Sequence, residues 1–245
     1  MGGEDATLGF RTLLASARAR ASDDVAHVTE VLRAARELPD GARFLDLRVP
    51  PPLLAFSRRD THRPGFEAAA AHARPRGFAP VVRHVGGSFA PLHGGSLVLE
   101  HYGTSPDAAR SSVARFVEHS GVLRDALGAL GLDARVGELP GEYCPGEHSV
   151  NVAGRAKVAG VAQRVSGHAW VVSTVVQVHG AALLRDVTVE CARLLGEEID
   201  PETIGDLAGE GVALDVAAVG QHLAAAFCAA GLVAPPDVHL PGQLR

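Results

Sequence analysis

Lysine is nearly absent from this chain. Lys plus Arg number 23, and only one of them, Lys157, is lysine; the other 22 are arginine. Wherever either cation would serve, arginine stands, so the exception calls for a property that arginine lacks. Cysteine is almost as rare: Cys144, Cys191 and Cys228 make an odd set of three. No disulfide framework follows from it, and free thiols fit a reducing compartment. The 12 histidines form no HxH or HExxH pattern and there is no paired CxxC, so no metal site is expected. No apolar run reaches the roughly 20 residues of a membrane span. The first residues lack the charged and apolar regions of a signal peptide, and the expectation is a cytoplasmic protein that meets no membrane. A net charge of −5 with scattered basic residues argues against a nucleic-acid surface.

What is present describes an ordinary globule. With 245 residues, 47% of them hydrophobic, and no repeat or low-complexity linker, the chain is expected to form one domain over 1–245 without a separate C-terminal domain. The pattern predicts an α/β (α+β) fold, with a mixed, largely antiparallel central sheet flanked by helices. Helices are expected over Thr7 to Ala21, from Asp23 to Leu38 with Ser22 as cap, and from Pro64 to Ala73. Another should run from Ser105-Pro106-Asp107 to Leu130 with a break near Gly121. Two more are expected over Ala181 to Leu195 and Asp215 to Ala230, the last closed by Gly231. Strands are expected at Phe44–Val49, Leu53–Phe56, Pro80–Arg83, Ser96–His101, Ala134–Val136 and in the segment beyond Lys157. His168–Val178, rich in β-branched residues, reads as a central strand holding the only tryptophan, Trp170, in the core.

The stretch from Cys144 to Arg164, CPGEHSVNVAGRAKVAGVAQR, is the most informative. A cysteine precedes a Pro-Gly turn, an alternating segment follows, and a second turn at Gly154-Arg155-Ala156 delivers Lys157. An ammonium is compact and enters a tight site where a planar guanidinium cannot. A nearby cation also favours the thiolate, the reactive form of cysteine. Two readings stay open here. Cys144 and Lys157 form a nucleophile and activator pair across a hairpin, or they are a turn residue and a survivor of arginine-rich codon usage. Cys191 and Cys228 lie in helical patterns and read as small core residues.

A second stretch, Arg83 to Gly95, has a Gly86-Gly87 step where backbone N–H groups can approach a ligand closely. Arg83 stands before it, and His93 follows, ahead of Gly94-Gly95. Alone, a glycine turn between strands has a structural explanation, as has a hydrogen-bonded histidine.

Together the two stretches resemble the cofactor-transferase domain of lipoate–protein ligases, octanoyltransferases and the related biotin ligases. The acyl-pocket pattern is matched by Arg83, Gly86, Gly87, His93, Ser96 and Leu97. The family lysine motif is matched by Gly154-Arg155-Ala156-Lys157-Val158-Ala159-Gly160-Val161-Ala162-Gln163. The resemblance covers roughly Leu45 to Phe227 and implies a biotin/lipoate protein ligase-like fold. Tyr143-Cys144-Pro145-Gly146 resembles the branch that moves octanoyl between lipoyl carriers through a cysteine. His148-Ser149 stands where ligases have an Asn-Asp pair, and Gly86-Gly87 runs into Ser88 instead of a third glycine. Against that branch, Ala156 adds one residue between Cys144 and Lys157, and His93 stands where an aspartate is common.

The resemblance therefore implies an octanoyl or lipoyl transferase with Cys144 and Lys157 as catalytic residues. Lys157 would hold the acyl carbonyl and favour the thiolate. Arg83, Gly86, Gly87, His93, Ser96, Leu97, Val158, Ala159, Gly160, Ala162 and Gln163 would line the substrate site. Leu97, Val158 and Val161 are the side chains expected against the acyl chain. No cofactor is required by this chemistry; ATP and Mg enter only if the protein is a lipoate–protein ligase working through an acyl-adenylate. A third reading is a non-catalytic acyl- or carrier-binding protein. The implied partners are lipoyl carrier proteins, namely a glycine-cleavage H-like protein or 2-oxoacid dehydrogenase E2 lipoyl domains, or acyl carrier protein. A monomer is expected.

Overall fold

Two sheets carry the architecture, seen in a computed structural model that describes residues 20–234. The helix expected over Thr7 to Ala21 lies almost wholly outside the described residues. The larger sheet has six strands in the order β1-β5-β9-β8-β7-β6. They are β1 (Arg43–Arg48), β5 (Ser96–Thr104), β6 (Ala134–Val136), β7 (Val150–Val152), β8 (Ala156–Ser166) and β9 (Ala169–Gln177). Every pairing in it is antiparallel. The smaller sheet, β3-β2-β4, consists of β2 (Leu53–Phe56), β3 (Ala79–Val82) and β4 (Ala90–Leu92). Among the strands, parallel pairing is confined to β2 and β3, where a helix, α2 (Phe66–Ala73), crosses over between them; an isolated parallel bridge also joins Lys157 to Ile204.

Period-two alternation assigns the faces of the large sheet. Leu45 and Leu47 of β1 and Leu97 and Leu99 of β5 join one core with Leu123 and Leu127 of α3 (Ser112–Ala129) and Leu223 and Phe227 of α5 (Val216–Ala229). Their neighbours point the other way. Val98 packs with Leu54, Phe56 and Phe89 of the small-sheet region and with Leu184 and Val187 of α4 (Ala181–Leu194). Asp46 and Arg48 share that second face and meet α1 (Ala21–Ala35). His27 pairs with Asp46, and Arg48 bonds Asp24 at 2.8 Å and Glu100 at 2.8 Å. Burial works against the charge on Arg48, but Glu100 and Asp24 outweigh it and raise its pKa. Tyr102 donates its hydroxyl to Glu100 at 2.5 Å.

Several boundaries differ from those expected. Ser22 does not cap α1; the helix opens two residues earlier than expected, at the buried Ala21, and the Ser22 hydroxyl bonds Asp23 instead. The third helix begins at Ser112 rather than Ser105, because residues 105–111 satisfy one another in consecutive turns: Ser105 bonds Asp107, and Ser111 bonds the Asp107 carbonyl. It runs unbroken through Gly121, where a single glycine costs about 1 kcal/mol and packing of Leu123 outweighs it.

The face under α3 and α5 also buries two histidines. His101 stacks on His119 at 5.9 Å between Trp170 and Phe227. Burial lowers both, His101 well below its ordinary value and His119 to about 3. In the unfolded chain both titrate near 6.5. Because the folded values are the depressed ones, their contribution is intact above about pH 6.5. It drains away as pH falls toward 3, each unit of gap weighing about 1.4 kcal/mol. Denaturant midpoints should hold from pH 7.5 to about 6.5 and fall from there to 4.5, and His119→Phe should flatten that slope. A midpoint independent of pH would contradict it.

Candidate active site

Cys144 sits in the connection from β6 to β7, with its backbone in the left-handed region at φ 46°. A cysteine there costs about 1–2 kcal/mol, and the surroundings hold it. The clamp is Glu142, only 3% exposed. Its carboxylate accepts the amides of Leu139 (3.0 Å) and Gly146 (3.2 Å) and the Ser149 hydroxyl (2.8 Å). It also accepts the Lys157 ammonium at 2.9 Å. Lys157, 1% exposed, gives its other two donors to the carbonyls of Tyr143 (2.9 Å) and Cys144 (2.8 Å), over the Tyr143 ring at 4.8 Å. Burial pushes the Tyr143 phenol up to about 12, so it stays neutral.

This corrects the expected contact between Lys157 and the thiol. An ammonium has three hydrogens, and all three are spent on the loop; none reaches the sulfur. The thiol faces the connection between β3 and β4. Its Sγ receives the Ser88 amide at 3.1 Å and Nη2 of Arg83 at 3.5 Å, and lies 3.7 Å from the Ser88 carbonyl. Arg83 also donates to that carbonyl at 2.6 Å, while its Nε is buried and unpartnered among the described residues. The loop is fixed from β8 by Arg164, which donates to the His84 carbonyl at 2.9 Å. Gly87 is the glycine that matters. At φ 93° a Cβ would stand 2.8 Å from the cysteine sulfur and 2.7 Å from Arg83 Nη2. A Cβ on Gly86 would come no nearer than 3.7 Å to any atom, from the Gln163 carbonyl.

Two hollows flank the groups that hold the sulfur: Arg83 lines one, Gly87 and Ser88 line the other, and Cys144 itself lines neither. On the Arg83 side lies a narrow crevice of about 40 Å³, walled by Val25 and Val28 of α1, Leu53, Leu92, Val98 and Val175, with Arg48 and Glu100 at its polar end. On the Ser88 side lies a wider cavity of about 470 Å³, lined by Arg59, Gly87, Glu142, Pro145, Glu197 and Glu198 among others. Ser88 itself bonds Asp60 at 3.2 Å.

The other expected residues divide. Arg83 and Gly87 meet the thiol, and Gly160 touches the lysine stem, where a Cβ would lie 3.5 Å from Cε. Ala162 pairs with Ser173, on the crevice face. Leu97, Val158 and Ala159 instead pack in the core against α3 and α5, and Val161 leans on that side too. The cause is a bulge: Val150 pairs with Ala159 and Asn151 with Lys157, so Val158 is an extra residue and both it and Ala159 turn inward. Gln163 points to α3, accepting from Arg115 Nε at 2.7 Å and donating to the Ser112 carbonyl. Ser96 donates to Gln177 at 2.6 Å and holds the amide of His93. His93 packs on His179, and burial lowers its pKa; the thiol is not among its contacts. Ala156 is buried and starts β8, while Arg155 bonds Glu210 at the surface.

Glu142 and the Ser88 amide went unforeseen. A buried lysine needs a counter-ion, and the carboxylate two residues before Cys144 was the available signal. The Ser88 amide left none, since a backbone donor follows the chain path and not the side chain.

No protein-family model matches the sequence. An octanoyl-[GcvH]:protein N-octanoyltransferase of Exiguobacterium sibiricum is 31% identical over 159 residues, 58% of this chain and 54% of that protein. The protein of the same name from Geobacillus kaustophilus is 28% identical over 105 residues, 43% of this chain and 37% of its own. The match thus spans about half or less of the length of these curated relatives. Among solved structures, lipoate-protein ligase A bound with ATP superposes with a TM-score of 0.74 at 17% identity, covering 96% of this chain and 90% of that one. The fold is therefore that of the lipoate–protein ligases. Among the described residues no helix is long and apolar enough to cross a membrane.

Proposed function

We propose that this chain belongs to the lipoate–protein ligase and octanoyltransferase family and transfers an octanoyl or lipoyl group between carrier proteins through a thioester on Cys144. The observation that carries this reading is that the two donors touching Sγ, Arg83 and the Ser88 amide, border two unlike hollows. Arg83 lines the apolar crevice and Ser88 lines the wide polar cavity, and both donate to the sulfur.

The chemistry runs in two balanced halves. The thiolate attacks the donor's acyl carbonyl, the C–S bond forms, and the bond to the donor's carrying atom breaks as the carrier takes the proton the thiol gave up. The ε-amine of a lysine on the acceptor then attacks, the C–N bond forms, and the C–S bond breaks. The proton lost by the amine restores the thiol. Neither half consumes a nucleotide. The relatives are named for octanoyl carried on GcvH, and lipoyl carrier domains are the corresponding donors and acceptors for this chain.

The acyl chain belongs in the crevice, gaining about 0.8 kcal/mol per CH₂ buried. At about 40 Å³ the crevice has room for little more than one water, so Val25 and Val28 of α1 must give way as the chain enters. The carrier loop with its lysine belongs over the polar cavity, where Glu198 suits an incoming ammonium beside Glu197, which is paired with Arg63 at 2.6 Å. The ligase alternative asks the family lysine to meet an adenylate phosphate. Against it, every donor of Lys157 is already engaged by Glu142 and two carbonyls.

The test is an intact mass taken after incubation with an octanoyl-loaded carrier and no ATP. One added octanoyl group, absent in Cys144→Ala, is expected. Transfer that needs ATP and survives Cys144→Ala would select the ligase instead, and carrier binding with no mass gain would leave a non-catalytic protein.

A further inference from the structure

From the bonds around Cys144, we propose that Arg83 and the Ser88 amide hold the thiolate, and that Lys157 is a positioning residue acting on the cysteine's backbone. This deepens the proposed function and rests on it, since it concerns the same sulfur.

The geometry separates the two cations by what each one touches. Arg83 Nη2 lies 3.5 Å from Sγ and the Ser88 amide 3.1 Å, the two donors that an anionic sulfur there would keep. With the proton present, the Ser88 carbonyl at 3.7 Å is the acceptor; once the proton leaves to solvent, that carbonyl remains tied to Arg83 at 2.6 Å. The guanidinium therefore serves both protonation states, drawing the carbonyl's charge away from the sulfur and offering a donor to it. Gly87 leaves open the space through which these groups meet, because a Cβ there would collide with both.

Lys157 works from the other side of the peptide. Its contacts are the Cys144 carbonyl, the Tyr143 carbonyl and the Glu142 carboxylate. These fix the left-handed backbone at φ 46° that turns the sulfur toward Ser88. A lysine suits this place because a compact ammonium can point three hydrogens at three convergent oxygens, while the flat fork of an arginine cannot.

The test is the pH profile of Cys144 alkylation by iodoacetamide, read by mass on the Cys144 peptide so that Cys191 and Cys228 do not contribute. Arg83→Met should move the half-maximal pH upward by about one unit or more, and Arg83→Lys should restore part of it. Lys157→Met should change the rate across the profile and leave its midpoint in place. Where that variant folds poorly, Glu142→Gln combined with Lys157→Met removes the buried charge and carries the same expectation. A midpoint that follows Lys157 as much as Arg83, or that ignores Arg83, overturns the assignment. The readout involves no acyl donor. A chain that never acylates would refute the transferase while leaving this profile intact, and an acylating chain with an unmoved profile would refute only the division of labour.

Discussion

Lys157→Met is expected to lower stability by about 3–5 kcal/mol and acyl transfer by roughly 10²-fold or more. The stability loss comes from Glu142, whose carboxylate would remain buried without its cation, the situation in which breaking one half of a buried pair is most damaging. The activity loss comes from the loop: the carbonyls of Tyr143 and Cys144 lose their donor, and the strained cysteine is free to relax. Misplacement of a reacting atom by about 1 Å is enough for a 10²-fold effect. Lys157→Arg keeps the charge yet should lose activity on the same scale, since the wider group does not fit between three fixed oxygens. Combining Glu142→Gln with Lys157→Met should recover much of the stability and little of the activity. Urea melts and single-turnover rates measured on the three variants decide it, and wild-type values for Lys157→Met would remove the clamp from the account.

Gly87→Ala should show the opposite imbalance. The left-handed backbone at φ 93° sets a stability cost of about 1–2 kcal/mol for a side chain there. The new methyl would also press within 3 Å of the cysteine sulfur and of Arg83 Nη2. Both neighbours are side-chain ends, so the protein can yield without unfolding, but what yields is the reactive pair. Transfer should fall by about 10²-fold or more while the urea midpoint moves only modestly. Gly86→Ala is the control: its Cβ would meet nothing nearer than 3.7 Å, and both measurements should stay close to wild type. Equal losses in the two variants would mean that the glycine pair serves general flexibility.

The parts of this protein that could be read from its sequence are those where composition and packing agree. The run His168–Val178 is rich in β-branched residues and is the central strand β9. Leu53–Phe56 and Ala134–Val136 appear within the bounds expected of them. Strand β4 was hidden because it is three residues with Pro91 in the middle, tolerated only since it lies at an edge of the small sheet. Cys144 and Lys157 stood out by rarity, which marks a residue and says nothing of what it touches. The phase of β8 could not be read, because the bulge at Val158 interrupts its alternation and turns Val158 and Ala159 into the core, where Leu97 of β5 also lies. The sheet was expected to be mixed; its antiparallel regularity emerges once the one parallel pair is set apart in a sheet of its own.

The cysteine, its lysine and its glutamate all hang from the hairpin end of the six-stranded sheet. Arg83, Gly87 and Ser88 hang from the three-stranded one. Reactivity is thus assembled along a seam between two rafts, and neither raft carries it alone. The few ångströms separating sulfur from its donors act as a gauge of how well the two are seated against each other. Wear anywhere along that join would register first in the chemistry.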